Sequence, residues 1–213
     1  MRVFGHRKGL KTLQKVSRAA RNRGIEVLTL YAFSSENWRR AEAEVSELMN
    51  LLRTYLKSET AQLHKENVQL RVIGERQRFA PDIIELIEQA EEITANNTGA
   101  VLCVALSYGS RAEITGAVRD LAQQVADGKL SPDQIDEQTV ENALWTSGLP
   151  APDLVIRTSG EQRLSNFLMW QAAYAELYFS PVMWPDFDEA ELDAALDCFA
   201  ERDRRYGREQ SKA

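Results

Sequence analysis

The segment from Arg157 to Asn166 carries the residue types that bind anions. It contains two arginines, two serines and a glycine, and it follows a short apolar run, residues 154–156, that is typical of a buried strand. A guanidinium group pairs with two phosphate oxygens at once, hydroxyl groups add donors, and glycine lets the backbone approach closely. We therefore predict a phosphate-binding loop at the end of a strand. The alternative is a solvated surface turn.

A second loop of similar composition follows another apolar segment. Residues 25–33 are β-branched and apolar enough for a central strand. They run directly into residues 34–40, which contain two serines, an acid, an amide, an indole and two arginines. Because the carboxyl ends of parallel strands meet at one edge of a sheet, the two loops should lie together. The pair indicates a cleft that binds a phosphate or a diphosphate.

Helical and strand-like patterns alternate along the chain and must position these loops. Apolar residues recur at helical spacing from Leu10 to Ala20, ahead of Gly24, which can end a helix. The motif Ser110-Arg-Ala-Glu113 is interpreted as a capping box that opens a later helix. Further helices are predicted at residues 45–56 and 83–90, from Ser131, and from Glu189 to about Arg204; further strands are predicted at residues 68–73, 101–108 and 175–179. This alternation predicts an α/β fold with a mainly parallel central sheet flanked by helices on both faces.

Composition limits the class of protein. A chain of 213 residues with 44% hydrophobic and 27% charged residues is typical of a single soluble domain, here residues 1–213. A net charge of −6 without basic patches predicts no nucleic-acid partner. The two cysteines show neither metal nor disulfide spacing. The sequence has no signal-peptide pattern and no apolar run of about eighteen residues, so we expect a cytoplasmic protein.

Several longer motifs identify a family. They are residues 34–38 (Ser-Ser-Glu-Asn-Trp), 157–161 (Arg-Thr-Ser-Gly-Glu), 163–167 (Arg-Leu-Ser-Asn-Phe), 174–179 (Tyr-Ala-Glu-Leu-Tyr-Phe), 4–6 (Phe-Gly-His) and 184–187 (Trp-Pro-Asp-Phe). Together, and in their order along nearly the whole chain, they resemble the cis-prenyltransferases, above all the bacterial undecaprenyl diphosphate synthases.

The resemblance implies an isoprenyl transferase. Such an enzyme condenses isopentenyl diphosphate onto an allylic diphosphate, typically farnesyl diphosphate, with cis double bonds, and makes a long polyprenyl diphosphate such as undecaprenyl diphosphate. It also implies Mg²⁺, because the departing pyrophosphate needs charge stabilisation, a homodimer, and peripheral membrane contact for product release. The alternative is a non-catalytic diphosphate-binding or partner subunit with the same fold.

The resemblance assigns roles to individual residues. Those assigned to substrate binding are Arg2, His6, Ser34, Ser35, Glu36, Trp38, Arg40, Arg157, Arg163, Leu164 and Ser165. Among them, Arg157, Arg163 and Ser165 match residues that hold isopentenyl diphosphate. Arg2 and His6 match residues near the allylic diphosphate, and Arg40 matches another basic contact. Asn37 is the catalytic candidate, at a position proposed to assist proton removal, although a neutral amide is a poor base by itself. Trp38 and Phe33 would pack against the prenyl chain.

Glu176 is the metal candidate. It lies between Ala175 and Leu177 in a strongly apolar segment, where an unpaired carboxylate would be expensive. A cation or an arginine is therefore expected beside it, and by the resemblance this carboxylate contributes to the magnesium site. The alternative is an exposed glutamate on an edge strand.

Two features near the ends of the sequence concern activity and assembly. Family members carry a strand ending in Met-Asp-Gly-Asn-Gly-Arg-Trp ahead of the Phe-Gly-His element, and its aspartate handles magnesium. The 213 residues contain no Asp-Gly-Asn-Gly string, so we expect either a truncated version of an active enzyme or a degenerate copy. The intact site loops favour truncation, with little activity expected from these residues alone. Residues 205–207, Arg-Tyr-Gly, resemble a motif that extends into a neighbouring subunit; a solvated tail is the alternative.

Overall fold

The computed structural model describes residues 2–202 of the chain. Six helices and five strands have assigned bounds within this range. The helices are α1 (Arg2–Asn22), α2 (Glu42–Lys65), α3 (Pro81–Thr94), α4 (Ser110–Ala126), α5 (Glu137–Ala143) and α6 (Glu189–Ala200), and the strands are β1 (Val27–Ser34), β2 (Gln69–Ile73), β3 (Val101–Tyr108), β4 (Leu154–Arg157) and β5 (Glu176–Phe179). The predicted elements are therefore present with two shifted bounds: α6 ends at Ala200 instead of near Arg204, and the helix predicted from Ser131 begins at Glu137.

All the paired strands run parallel, as the sequence predicts, but they form two sheets. One sheet has the order β1-β3-β2 and the other pairs β4 with β5. Within the described residues, no strand pairs with the second edge of β1 or with the second edge of β4. Side chains still join the two sheets, because Leu28 of β1 and Ile156 of β4 pack against the same core cluster of α1 and α6.

The core lies on both faces of β3, whose side chains alternate between them. Leu102, Val104 and Leu106 face a cluster built with α2 and α3, and Cys103 and Ala105 face a second cluster. This second cluster contains residues of the connections before β4 and between β4 and β5. The layers therefore fix the carboxyl ends of β1, β3 and β4 relative to each other. Among the described helices, none combines the length and apolar character needed to cross a membrane.

The capping-box interpretation of Ser110 and Glu113 is wrong. Helix α4 begins where it was predicted, but its N-cap is Gly109. The Ser110 hydroxyl instead accepts a hydrogen bond from the backbone N–H of Met169 at 3.0 Å. Glu113 is only 1% exposed and points into the protein, where groups far away in the sequence donate to it. Its tertiary partners therefore replace the local hydrogen bond that the spacing suggested.

The Ser131-Pro132 segment also differs from its prediction. It forms a short 3-10 turn, Pro132–Gln134, and the helix proper begins at Glu137. Asp136 caps this helix by accepting a hydrogen bond from the Thr139 backbone N–H at 2.8 Å. The N-cap of this helix is therefore Asp136, five residues after the Ser131 at which Pro132 suggested that the helix begins.

Candidate functional site

The two loops predicted to bind anions meet at one edge of the molecule. Asn166, in the loop after β4, donates from Nδ2 to Oε1 of Glu36, in the loop after β1, at 3.0 Å. The ring of Tyr31 stacks on that of Phe167, with centroids 4.5 Å apart, and its hydroxyl lies 3.5 Å from the Ser165 carbonyl oxygen. The expectation that these loops lie together is confirmed, although their strands belong to separate sheets.

Asn37 is oriented by the turn in which it lies. Residues Ser35–Arg39 form a 3-10 turn directly after β1. The Asn37 side-chain oxygen accepts a hydrogen bond from the Ser34 backbone N–H at 3.0 Å. Because the amide oxygen is engaged in this way, the side-chain N–H donors are the part of Asn37 left to face a ligand. An amide in this arrangement is suited to donate to an anionic oxygen and unsuited to accept a proton.

Trp38 links the site loop to the hydrophobic core. Its Nε1 donates to the Ser107 hydroxyl at 2.8 Å, and its ring packs against Phe33 and Phe79. The Arg78 guanidinium lies over the same ring, 5.1 Å from its centroid. Phe33 is only 3% exposed, so it belongs to the packed core in this conformation.

The basic residues of the site differ in how their charges are compensated. Arg163 forms an ion pair with Glu161, and Arg40 pairs with Glu44 one helical turn on, at 2.8 Å. Arg157 is half-buried at the carboxyl end of β4. Within residues 2–202, no carboxylate lies within ion-pair distance of its guanidinium group. Of the three described arginines predicted to bind anions, Arg40, Arg157 and Arg163, Arg157 is therefore the one whose charge remains available to a ligand.

Burial and neighbouring groups shift the pKa values of Tyr31 and Glu36 at the same edge. Burial raises the pKa of Tyr31 to about 12; the charge of Glu36 adds to this effect and that of Arg157 opposes it. Burial also raises the pKa of Glu36, but hydrogen bonds from Asn166, from its own backbone N–H and from Ser34 and Ser35 outweigh it, so the pKa lies below its ordinary value. Glu36 is therefore a carboxylate at neutral pH.

Glu176 has the cationic neighbour that its apolar surroundings predicted. Its Oε2 accepts a hydrogen bond from Nη1 of Arg202 at 2.6 Å. The strand register, however, pairs Glu176 with Leu154, at the start of β4, and pairs Arg157 with Phe179. Glu176 thus lies three residues, or about 10 Å, from the strand end that carries the anion-binding loop. The chain does not bring this carboxylate to Arg157, and its metal role stays a prediction.

The donor set of the described residues does not build a complete magnesium site. No group of three or more His, Cys, Asp or Glu side chains within that part of the chain could hold a metal ion. Arg2 and His6 belong to the first turns of α1, but their side chains lie outside the described part, as do residues 205–207. Their predicted roles near the allylic diphosphate and across a dimer therefore stay predictions.

Two functional candidates lie outside the residues picked from the sequence. Asn166 belongs to the Arg-Leu-Ser-Asn-Phe motif, which assigned it no role, and Gly109 belongs to none of the motifs. A Cβ atom at Gly109 would lie 2.6 Å from the Asn166 amide nitrogen and 2.6 Å from the Ser35 hydroxyl. Only the folded structure shows that Asn166 and Ser35 both lie close to Gly109. The signal available in sequence was the asparagine at the end of the Arg-Leu-Ser-Asn string.

Comparisons with known proteins agree with this geometry. The family model described as "Putative undecaprenyl diphosphate synthase" matches residues 1–207. An isoprenyl transferase of Agrobacterium fabrum is 53% identical over 97% of this chain and 83% of its own length. A ditrans,polycis-undecaprenyl-diphosphate synthase of Escherichia coli, specific for (2E,6E)-farnesyl diphosphate, is 52% identical over 97% of this chain and 82% of its own length.

Solved structures extend the likeness to three dimensions. Lavandulyl diphosphate synthase from Lavandula x intermedia, in complex with dimethylallyl diphosphate, superposes with a TM-score of 0.95 at 37% identity, over 98% of this chain and 90% of that one. A probable undecaprenyl diphosphate synthase from Campylobacter jejuni gives a TM-score of 0.82 at 35% identity, over 94% and 92% of the two chains. Together with the parallel strands and joined loops described above, these matches show that the chain belongs to the undecaprenyl diphosphate synthase family of prenyltransferases.

Proposed function

We propose that this chain is an isoprenyl transferase that condenses isopentenyl diphosphate onto an allylic diphosphate, with farnesyl diphosphate as the expected starter and cis double bonds in the product. The observation that supports it most directly is the half-buried guanidinium group of Arg157, which lies beside two joined loops at the strand ends and pairs with no carboxylate of residues 2–202. Such a group binds a diphosphate more strongly than a solvated arginine does, since less of its hydration is lost on binding.

The chain's own residues divide the chemistry between them. Condensation requires that the allylic carbon–oxygen bond breaks, that the alkene of isopentenyl diphosphate attacks the allylic carbon, and that a proton leaves. Arg157, Arg163 and Ser165 would hold the isopentenyl diphosphate in place. Asn37 would donate a hydrogen bond to a diphosphate oxygen, because its own oxygen accepts from Ser34. We therefore assign Asn37 to positioning the diphosphate and not to removal of the proton.

Magnesium is proposed to enter the site with the substrate. Mg²⁺ is commonly bound by one or two carboxylates together with substrate phosphates, without an all-protein cage. The described residues hold no such cage, and Glu176 is paired with Arg202, so no step is assigned to a protein-bound metal. When bound, the ion would stabilise charge on the departing diphosphate.

The growing prenyl chain would need space beneath the site loops. Helix α2 packs Met49 and Leu56 into the core cluster that also contains Phe33. The cavity between α1, α2 and the start of β3 has a volume of about 50 Å³, which holds one or two water molecules. A long product would require α2 to move away from the sheet, and we propose this helix as the wall of a product tunnel.

Incorporation of labelled isopentenyl diphosphate into long-chain product, with farnesyl diphosphate and Mg²⁺ present, tests the proposal. The alternative function is a non-catalytic diphosphate-binding or partner subunit, which predicts binding of isopentenyl diphosphate without turnover. Turnover supports the transferase. Binding without turnover, in a polypeptide that also carries the Asp-Gly-Asn-Gly-Arg-Trp segment ahead of Phe4, would favour the partner subunit.

We also propose that this segment belongs between the two sheets. The second edges of β1 and β4 have no strand partner within residues 2–202, and unpaired strand edges leave backbone donors and acceptors unsatisfied. Within the described sheet β1 is an edge strand and not the predicted central one, and only its Phe33 is fully buried although most of its residues are apolar. We expect the extended polypeptide to transfer prenyl groups faster than residues 1–213 alone in the labelled assay. Equal turnover would contradict both the proposed strand between the sheets and the metal-handling role of the aspartate in that segment.

A homodimer is the expected assembly. Large exposed apolar side chains are concentrated in residues 169–183, the segment that contains β5, and such concentrations are uncommon on soluble monomers. They are Met169, Trp170, Tyr174, Phe179 and Met183. Sedimentation velocity at micromolar concentration should show a dimer. Met183→Lys should shift it toward monomer, whereas Val118→Lys, on the exposed face of α4, should not. A monomeric wild type, or equal effects of the two variants, would contradict this assignment.

Peripheral membrane contact for product release and a cytoplasmic location complete the proposal.

A further inference from the structure

We infer that Asn166 is a positioning residue that holds the loop after β1, the start of α4 and the anion-binding loop in one arrangement. The inference rests on the proposed function, because its consequence is the correct placement of the residues that bind isopentenyl diphosphate. It adds a residue that the motifs alone did not assign.

Three hydrogen bonds from Asn166 reach two other elements. Its Nδ2 donates to Glu36 Oε1 at 3.0 Å, and its Oδ1 accepts from the Arg111 backbone N–H at 2.9 Å. Its backbone carbonyl accepts from the Ser110 N–H at 2.8 Å. Both ends of the side-chain amide are therefore engaged by protein groups, so Asn166 acts on the substrate through its neighbours.

These bonds also occupy the N-terminus of α4. The first N–H groups of a helix have no partner within the helix and often bind anions. Here the N–H groups of Ser110 and Arg111 donate to Asn166 instead. A diphosphate at this edge therefore cannot bind these two N–H groups unless it displaces Asn166. The relative placement of the two loops then decides how well their side chains hold it.

The backbone around Asn166 is held in an uncommon conformation. The φ angles are +52° at Ser165, +63° at Asn166 and +43° at Leu168, all in the left-handed region that costs free energy for residues other than glycine. Asparagine tolerates this region better than most residues. The contacts of Asn166 help to maintain a conformation that directly determines the direction of the adjacent Ser165.

Gly109 leaves the space that this junction needs. Its φ of −160° is extended backbone that any residue adopts, so size and not flexibility is what matters there. An added Cβ would come within 2.6 Å of both the Asn166 amide nitrogen and the Ser35 hydroxyl. Because Asn166 is tied at both ends of its amide, it cannot move aside without breaking a hydrogen bond.

The experiment reverses the donor and acceptor of the Glu36–Asn166 contact. Asn166→Asp keeps an acceptor for Arg111 but places two carboxylates against each other, and we expect isopentenyl diphosphate binding to weaken at least about tenfold. In Glu36→Gln/Asn166→Asp, the glutamine amide can donate to the aspartate. The double variant should then bind isopentenyl diphosphate no more than about threefold more weakly than Glu36→Gln alone. Calorimetric titration with isopentenyl diphosphate gives all four affinities.

Two readouts separate positioning from general destabilisation. Repulsion between the two carboxylates raises their pKa values, so the defect of Asn166→Asp should shrink as pH falls toward about 5, and the double variant should not show this dependence. Gly109→Ala, which keeps both partners, should weaken binding as well, with the unfolding temperature recorded for every variant. Asn142→Asp makes the same chemical change at an exposed position of α5 and should have no effect.

The inference would be overturned if Asn166→Asp weakened binding equally in the wild type and in Glu36→Gln. It would also be overturned if the affinity losses of all variants simply followed their losses in unfolding temperature. Should Asn166→Asp fail to fold, Gly109→Ala decides, and unchanged affinity in it would count against the inference. A wild-type chain that binds no isopentenyl diphosphate would instead contradict the proposed function, and with it the inference.

Discussion

Alanine in place of Arg157 should weaken isopentenyl diphosphate binding by about 100-fold while affecting the allylic diphosphate much less. A bidentate charged contact contributes about 2–3 kcal/mol, which corresponds to this factor. Within residues 2–202 the Arg157 guanidinium has no carboxylate partner, so the variant loses a ligand contact without freeing an acid. Calorimetric titration with each diphosphate measures the two effects separately, and the KM values follow where turnover is measurable.

Matched arginines sharpen this prediction. Arg163 is already paired with Glu161, and its side chain is 60% exposed, so Arg163→Ala should cost less than Arg157→Ala. Arg157→Lys keeps the charge but loses the planar fork, and should lie between alanine and wild type. Arg119→Ala, exposed on α4, should bind normally. Equal weakening of both diphosphates by Arg157→Ala would refute the assignment of this residue to the isopentenyl diphosphate.

The sequence predicted the strands and the site loops because their signals are local. The apolar runs of β1 and β3, and the arginine and serine content of the following loops, can be read within ten residues or so. The parallel arrangement followed from the alternation of helices and strands. A cation or an arginine beside Glu176 was predicted from the cost of an unpaired carboxylate, but its identity as Arg202 was not.

Features that depend on distant partners could not be predicted in the same way. Asn166 and Glu36 are 130 positions apart, and no spacing rule connects them. Glu113 was misinterpreted for the same reason, because the pattern that starts with Ser110 looks like a local cap, whereas its partners come from three other segments. The position of Glu176 depends on the strand register, which sets the residue at the opposite end of β5 from the site loops.

Glu113→Ala should lower the free energy of unfolding by about 4 kcal/mol. The buried carboxylate accepts hydrogen bonds from the Tyr108 hydroxyl at 2.5 Å, the Trp145 backbone N–H at 3.0 Å and the Gln171 amide at 3.1 Å. Alanine would leave these donors buried without an acceptor, at about 1–3 kcal/mol each for those that find no water. For a chain of this size the unfolding temperature should fall by about 10 °C. Denaturant titration and scanning calorimetry measure both quantities.

Glutamine at position 113 should cost roughly half as much as alanine, because the network can rearrange around it. The oxygen of the new glutamine can accept from the Trp145 N–H. Once the Gln171 amide turns, the nitrogen of the new glutamine can donate to the Gln171 side-chain oxygen, a buried atom without a hydrogen-bond partner in the described part of the chain. Glu88→Ala removes an exposed glutamate from α3 and should change stability by less than about 0.5 kcal/mol. Since Glu113 links α4 to the segment just beyond the anion-binding loop, isopentenyl diphosphate affinity should also decline in Glu113→Ala. If Glu113→Ala were as stable as Glu88→Ala, water would be replacing the carboxylate. The hydrogen bonds of Glu113 would then not be what holds the segment around Gln171 in place.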